Sequence, residues 1–193
     1  FINGMSDCVA GTVCASEEFI NSLYDVNDGA AMLLGPVLDS FRSASILKNL
    51  RTLHIRMKQH SSNAMYITSK LHDDGVKVTY PGLASHPQNA LMKTMMNAEF
   101  GFGGLFVIDM QTPARANQLM ELMQDDNLGY LAVSLGSYKT LFSAPGGSTS
   151  SEIPEEERLE MGLTDGLVRI SIGLDNNPER TYQSIKRCMT TVG

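Results

Sequence analysis

Positive charge, cysteine and long apolar runs are all scarce in this chain of 193 residues, and each scarcity excludes a class of function. Lys and Arg number 15 against 21 acidic residues, for a net charge of −6. Such a surface repels polyanions, and no basic block or interleaved aromatic stripe counters it, so nucleic acid is not an expected partner. The three cysteines, Cys8, Cys14 and Cys188, are odd in number and lack zinc-like spacing. They read as small buried thiols in a reducing, cytoplasmic compartment rather than as a secreted disulfide scaffold. No apolar run is long enough to span a bilayer, so no membrane partner is expected. The four histidines, His54, His60, His72 and His86, form no HxxxH pair and have no acidic companion at ligand spacing, which leaves no metal set. No Ser/His/Asp order with an elbow motif supports hydrolase chemistry.

What is present is the composition of an ordinary globular protein: 42% hydrophobic residues and a mean hydropathy near zero, enough for a real core in one or two domains. The twelve methionines serve as core filler. Val9 to Cys14 is small and β-branched and reads as a strand of a larger sheet. From Met32 to Met57 apolar residues recur at helical intervals, with Pro36 suited to a first helical turn. A further helix is expected from about Ser61 to Leu71, stopping at Asp73, Asp74 and Gly75. Val76 to Tyr80 alternates and predicts a half-buried strand. Strands over Gly104 to Met110, Leu128 to Leu135 and Leu167 to Ile172 alternate with helices over Ala114 to Met123, Pro154 to Met161 and from Pro178 toward Cys188. Thr112 with Pro113, and Asn177 with Pro178, are helix starts. The expected fold class is α/β: a small sheet with helices on one face.

Three segments carry candidate chemistry. Arg169 lies within the alternating strand Leu167 to Ile172. A guanidinium fixed on a strand offers two parallel donors to a carboxylate, the geometry that selects amino acids; the same pattern also describes a solvated arginine on an edge strand. Ser143 to Ser151 (SAPGGSTSS) is the one Gly/Ser-rich stretch, either a flexible loop or an ordered active-site loop. Gly101, Gly103 and Gly104 resemble a nucleotide fingerprint only superficially. A phosphate loop needs a strand before and a helix after, and here a strand follows, so these glycines permit a tight chain reversal.

An ordered series of motifs adds to this reading: FINGMSDCVAG (Phe1 to Gly11), LRTLHIRMKQH (Leu50 to His60), YPGLASHPQN (Tyr80 to Asn89), FGFGG (Phe100 to Gly104), YLAVSLG (Tyr130 to Gly136) and GLVRISIGL (Gly166 to Leu174). Together they closely resemble the second half of the Cys/Met-metabolism family of pyridoxal-phosphate (PLP) enzymes, whose members include methionine γ-lyase, cystathionine γ-lyase and cystathionine γ-synthase. In that family a cofactor-bearing lysine in an SxTK sequence is followed by an aromatic, an aliphatic and xGHxD. Phe1, Ile2, Gly4 and Asp7 fit, Met5 replaces the usual His, and the lysine is expected immediately before Phe1.

The resemblance implies the C-terminal part of a fold type I enzyme. Residues 1–52 would be the tail of the PLP-binding domain with a linking helix, and residues 53–193 a substrate-clamp domain. It implies that Arg169 binds the substrate α-carboxylate, that Ser134 lies beside that carboxylate and the lysine, and that Thr149 belongs to the substrate-binding loop. Ser150 stands where the family usually has His, so no role of a His transfers there; GGSTSSE resembles the plant-type methionine γ-lyase pattern more than the bacterial or animal one. His60 and His86 match family positions read as structural. No catalytic residue is expected in this chain itself, and its cofactor contacts are unassigned. The implied activity is a PLP-dependent carbon–sulfur lyase, methionine to methanethiol, 2-oxobutanoate and ammonia. Cystathionine γ-lyase or γ-synthase activity is the nearest alternative, and a non-catalytic amino-acid-binding domain the next. The implied partners are an amino-acid substrate, the N-terminal half of the same enzyme, and further copies in a dimer-based homotetramer.

Overall fold

A computed structural model describes residues 1–148, 150 and 152–192. The chain divides into two compact units: residues 2–51, and Phe1 together with the residues from Thr52 onward.

In the first unit, Val9 to Cys14 forms no strand. Val9 and Val13 are 89% and 62% exposed, because a strand needs a ladder partner and residues 2–51 contain no other strand. The expected continuous helical stretch is also broken. Helix α1 (Glu17–Ser22) starts on Ser16, whose hydroxyl accepts from Phe19 N–H. Helix α2 (Ala30–Leu34) ends at Gly35, which takes a left-handed φ of 58°, and Pro36 follows. A glycine in that conformation with a proline next is a stop signal, so Pro36 lies between helices rather than in a first turn. Helix α3 (Ser40–Leu50) starts instead on Asp39, whose carboxylate accepts from the backbone N–H groups of Phe41 and Arg42 at 3.0 Å each.

The second unit is the expected α/β layer. Helix α4 (Leu53–Asp73) is followed by β1 (Val78–Thr79), α5 (Asn89–Met95), β2 (Leu105–Asp109), α6 (Pro113–Asp125), β3 (Gly129–Leu131), β4 (Thr140–Ser143), α7 (Glu155–Glu160), β5 (Leu167–Ser171) and α8 (Pro178–Thr191). The sheet order is β1-β2-β5-β4-β3, antiparallel except for the parallel pair β3 and β4. Thr112 and Asn177 cap α6 and α8 as expected, each followed by a proline in the first turn.

Alternation decides the two faces of the sheet. Phe106, Ile108, Phe142, Val168 and Ile170 are buried against Ile67 and Leu71 of α4, Leu119 and Met123 of α6, and Ile185 of α8. At about 1.5–3 kcal/mol for each fully buried side chain of this size, that layer dominates the unit's stability. Register places Val107, Arg169 and Ser143 in one row on the opposite face, with Leu105, Ser171 and Leu141 in the next.

Strand β3 stops at Leu131, four residues earlier than the alternation through Leu135 suggests. Parallel neighbours ordinarily need a crossover of a dozen or more residues, but only residues 132–139 join β3 to β4. That short connection leaves the ladder and arches over the sheet, with Gly136 at φ 75°. The glycines at 101 and 103 make the expected reversal, at φ 67° and 82°.

Candidate functional site

The arch of residues 132–139 gathers the site. Gly136 N–H donates to the buried Ser171 Oγ at 2.9 Å, which pins the arch to β5 two residues beyond Arg169. Arg169 Nη2 then lies 3.5 Å from Ser134 O, the outer limit of a hydrogen bond and a weak one. The structure therefore brings Ser134 and Arg169 together, through the carbonyl of Ser134, while the residue's hydroxyl sits on an exposed loop.

Arg169 differs from its neighbours in pairing. Arg158, Arg180 and Arg187 hold Asp165, Asp175 and Asp126 at 3.0, 2.8 and 2.5 Å. Among the described residues no carboxylate lies within ion-pair distance of Arg169. Half-buried on the sheet face away from the helices, it keeps its fork of donors for something else. Directly beside it in register is Ser143, 4% exposed, whose Oγ has no hydrogen-bond partner among the described residues. A buried hydroxyl without a partner costs about 1–3 kcal/mol, and this one lies beside the Arg169 guanidinium in register.

The arch also touches Phe1. A Cβ on Gly136 would lie 2.2 Å from Phe1 N and 2.5 Å from its Cα, so only glycine lets the two backbones approach. From the other side Arg56 Nη1 donates to Phe1 O at 2.6 Å. The Phe1 ring meets the His60 ring edge-on, with centroids 5.2 Å apart at 89°. His60 Nδ1 is 2.7 Å from Ile172 O and so carries the proton. Burial pushes the imidazole below its ordinary pKa; the Ile172 hydrogen bond opposes that shift and the Arg56 charge adds to it.

Thr149 lies outside the described residues. Its surroundings are tied down at Gly146, whose carbonyl accepts from Arg158 Nη1 at 3.0 Å, and at Ala144, whose carbonyl accepts from Ser148 Oγ at 2.6 Å. Sequence reasoning did not single out Arg56, Gly136 or Ser143. Gly136 closes an alternating run, Ser143 opens the Gly/Ser-rich stretch and Arg56 lies within LRTLHIRMKQH, but register and a contact across 55 residues are what give the last two their individual roles.

A groove of about 970 Å³ lies elsewhere, lined by Asp126, Lys139, Asp175, Arg180 and Arg187 among others. Its arginines are already paired with its aspartates, unlike Arg169. Among the described residues no three His, Cys, Asp or Glu side chains are grouped to hold a metal.

Comparison with known proteins places the chain in a family. The model of the Cys/Met metabolism PLP-dependent enzyme family matches residues 1–180. A methionine gamma-lyase of Arabidopsis thaliana is 40% identical over 97% of this chain and 43% of its own length. A cystathionine gamma synthase of Xanthomonas oryzae pv. oryzae, solved with aminoacrylate and cysteine, superimposes with a TM-score of 0.82 at 30% identity, over 99% of this chain and 48% of that one. An O-acetylhomoserine (thiol)-lyase of Campylobacter jejuni, solved with a pyridoxyl-lysine phosphate, gives 0.74 at 30% identity, over 81% and 37%. The chain thus spans less than half the length of the relatives it matches.

Proposed function

This chain belongs to the Cys/Met metabolism family of PLP-dependent enzymes, and we propose that it is the substrate-clamp part of a carbon–sulfur lyase that converts L-methionine to methanethiol, 2-oxobutanoate and ammonia. The observation that carries the reading is Arg169, a guanidinium with no carboxylate partner among the described residues, on the sheet face away from the helices and joined by one arch to both Ser134 and Phe1. The donor set fits an amino-acid carboxylate: two parallel N–H groups from a strand, with a glycine in the arch that lets Phe1 pack close beside it. A lysine immediately before Phe1 would carry the pyridoxal phosphate, whose ring supplies the electron sink for proton loss at Cα and then Cβ.

Arg169 would bind the carboxylate at both oxygens and so fix the direction of the Cα–H bond, turning a free rotation into a held one. The Ser134 arch would brace the guanidinium from one side and Ser143 meet the ligand from the other. Thr149 would belong to the loop that closes over it. The likeness to the Arabidopsis enzyme supports methionine as substrate. The likeness to the Xanthomonas synthase supports a second reading, cystathionine chemistry on the same clamp. Assembly as a dimer-based tetramer and a cytoplasmic location, in keeping with three free thiols, complete the proposal.

The test is the full-length protein's visible absorbance before and after borohydride, with intact mass, followed by product analysis on methionine, cystathionine and homoserine esters. Methanethiol and 2-oxobutanoate from methionine are expected. Cystathionine turnover alone would favour the second reading. A protein without a reducible chromophore would be a non-catalytic binding domain.

A further inference from the structure

One face of α4 holds Arg56, His60 and Asn63, which are 6%, 0% and 0% exposed. Polar groups of this size are seldom fully buried without partners that repay desolvation, and here the partners are backbone carbonyls from two distant places. Arg56 Nη1 binds Phe1 O at 2.6 Å while its Nε is braced on Thr52 Oγ1 at 3.3 Å. His60 Nδ1 binds Ile172 O at 2.7 Å, and Asn63 Nδ2 binds Gly173 O and Asp175 O at 3.0 and 2.8 Å. Positions 56, 60 and 63 stack on one side of a helix. The same two turns of α4 therefore grip Phe1 at one end and the exit of β5, three residues past Arg169, at the other. His60 cannot shift to loosen that grip: its ring lies edge-on to Phe1, and Gly104 backs it so closely that a Cβ there would be 2.9 Å from His60 Cβ.

We propose that Arg56 and His60 are positioning residues which set the distance between the lysine-bearing segment entering Phe1 and the carboxylate-binding strand β5. The inference rests on the lysine placement given under Proposed function. A bound amino acid is held by Arg169 and must present Cα to the lysine amine; α4 fixes those two points relative to each other without touching the substrate. A misplacement of about 1 Å costs on the order of 100-fold in rate, which is why a charged hydrogen bond to a single carbonyl is worth burying.

The experiment uses the full-length holoenzyme carrying Arg56→Met, Arg56→Lys or Phe1→Leu. It measures bound cofactor, thermal midpoint, the pH midpoint of the cofactor–lysine absorption band, and kcat and KM for methionine. The expected result for Arg56→Met is a kcat per bound cofactor lowered about 10- to 100-fold, a shifted pH midpoint, and a KM within about threefold of wild type because Arg169 is intact. Arg56→Lys, which can still donate to Phe1 O, recovers most of the rate. Phe1→Leu, which keeps the carbonyl but loses the ring contact, falls between. A purely structural role would lower cofactor content and thermal midpoint while leaving kcat per bound cofactor and the pH midpoint unchanged, and that result overturns the proposal. If Arg56→Met does not fold, Arg56→Lys and Phe1→Leu carry the same readouts, and wild-type values in both overturn it. A wild-type protein with no borohydride-sensitive band would remove the functional reading itself, whereas a normal band with indifferent variants removes only this inference.

Discussion

Replacing Gly136 by Ala tests the join between the arch and Phe1. Two costs follow from the structure. The residue sits at φ 75°, a left-handed conformation that costs an L-residue about 1–2 kcal/mol. Its new Cβ would also fall 2.2, 2.5 and 2.6 Å from Phe1 N, Cα and Cγ. Carbon contacts settle near 3.5–4.0 Å, so backbone must move by about 1 Å or more, an overpacking cost of about 1–3 kcal/mol. The sum is about 2–5 kcal/mol. Gly103→Ala is the control: its φ is 82°, yet nothing lies within 4 Å of the added Cβ, so it suffers the conformational cost alone. Urea unfolding of both variants in the full-length protein should show Gly136→Ala less stable by a further 1–3 kcal/mol or so. Equal losses in the two variants would refute the packing of Phe1 on the arch.

The two serines of the sheet face away from the helices should respond oppositely. Ser143→Ala removes a buried hydroxyl that has no partner among the described residues, so ligand-free stability should stay level or rise by up to about 1 kcal/mol, whereas Ser171→Ala orphans Gly136 N–H and should lose about 1–3 kcal/mol; urea midpoints decide, and a loss for Ser143→Ala would mean its hydroxyl is engaged in the protein. His60 supplies a pH signature. Because its folded pKa is lowered, the unfolded chain takes up the proton first, so its contribution is whole above about pH 6.5 and is lost as pH falls from there toward the folded value. Urea midpoints between about pH 7 and 5 should fall less steeply for His60→Gln than for wild type, and parallel curves would contradict the assignment.

The sheet, the helix starts and the arginine of β5 were legible in the sequence because their causes are local. Thr112 and Asn177 accept from N–H groups three residues on, and Leu167 to Ile172 alternates strictly because one face is core. The misreadings have equally physical reasons. Leu131 to Leu135 continues to alternate, but Gly136 must reach both Ser171 and Phe1, and that tertiary demand takes the chain out of the ladder. Val9 to Cys14 has strand composition without a strand partner within residues 2–51. The helical spacing from Met32 to Met57 did not outweigh Gly35, Pro36 and the Asp39 cap. Of the site, Arg169 and Ser134 were readable from motifs, whereas Ser143 acquires meaning only through its register opposite Arg169, and Arg56 only through a hydrogen bond across 55 positions.

The central claim is that Arg169 clamps the substrate carboxylate, and the most direct test is kcat/KM for methionine in full-length Arg169→Ala at unchanged cofactor content. Losing a charged, partly buried contact of this kind should cost on the order of 3 kcal/mol, a fall of about 100-fold or more carried largely by KM. A variant that binds its cofactor and keeps full kcat/KM would contradict the account.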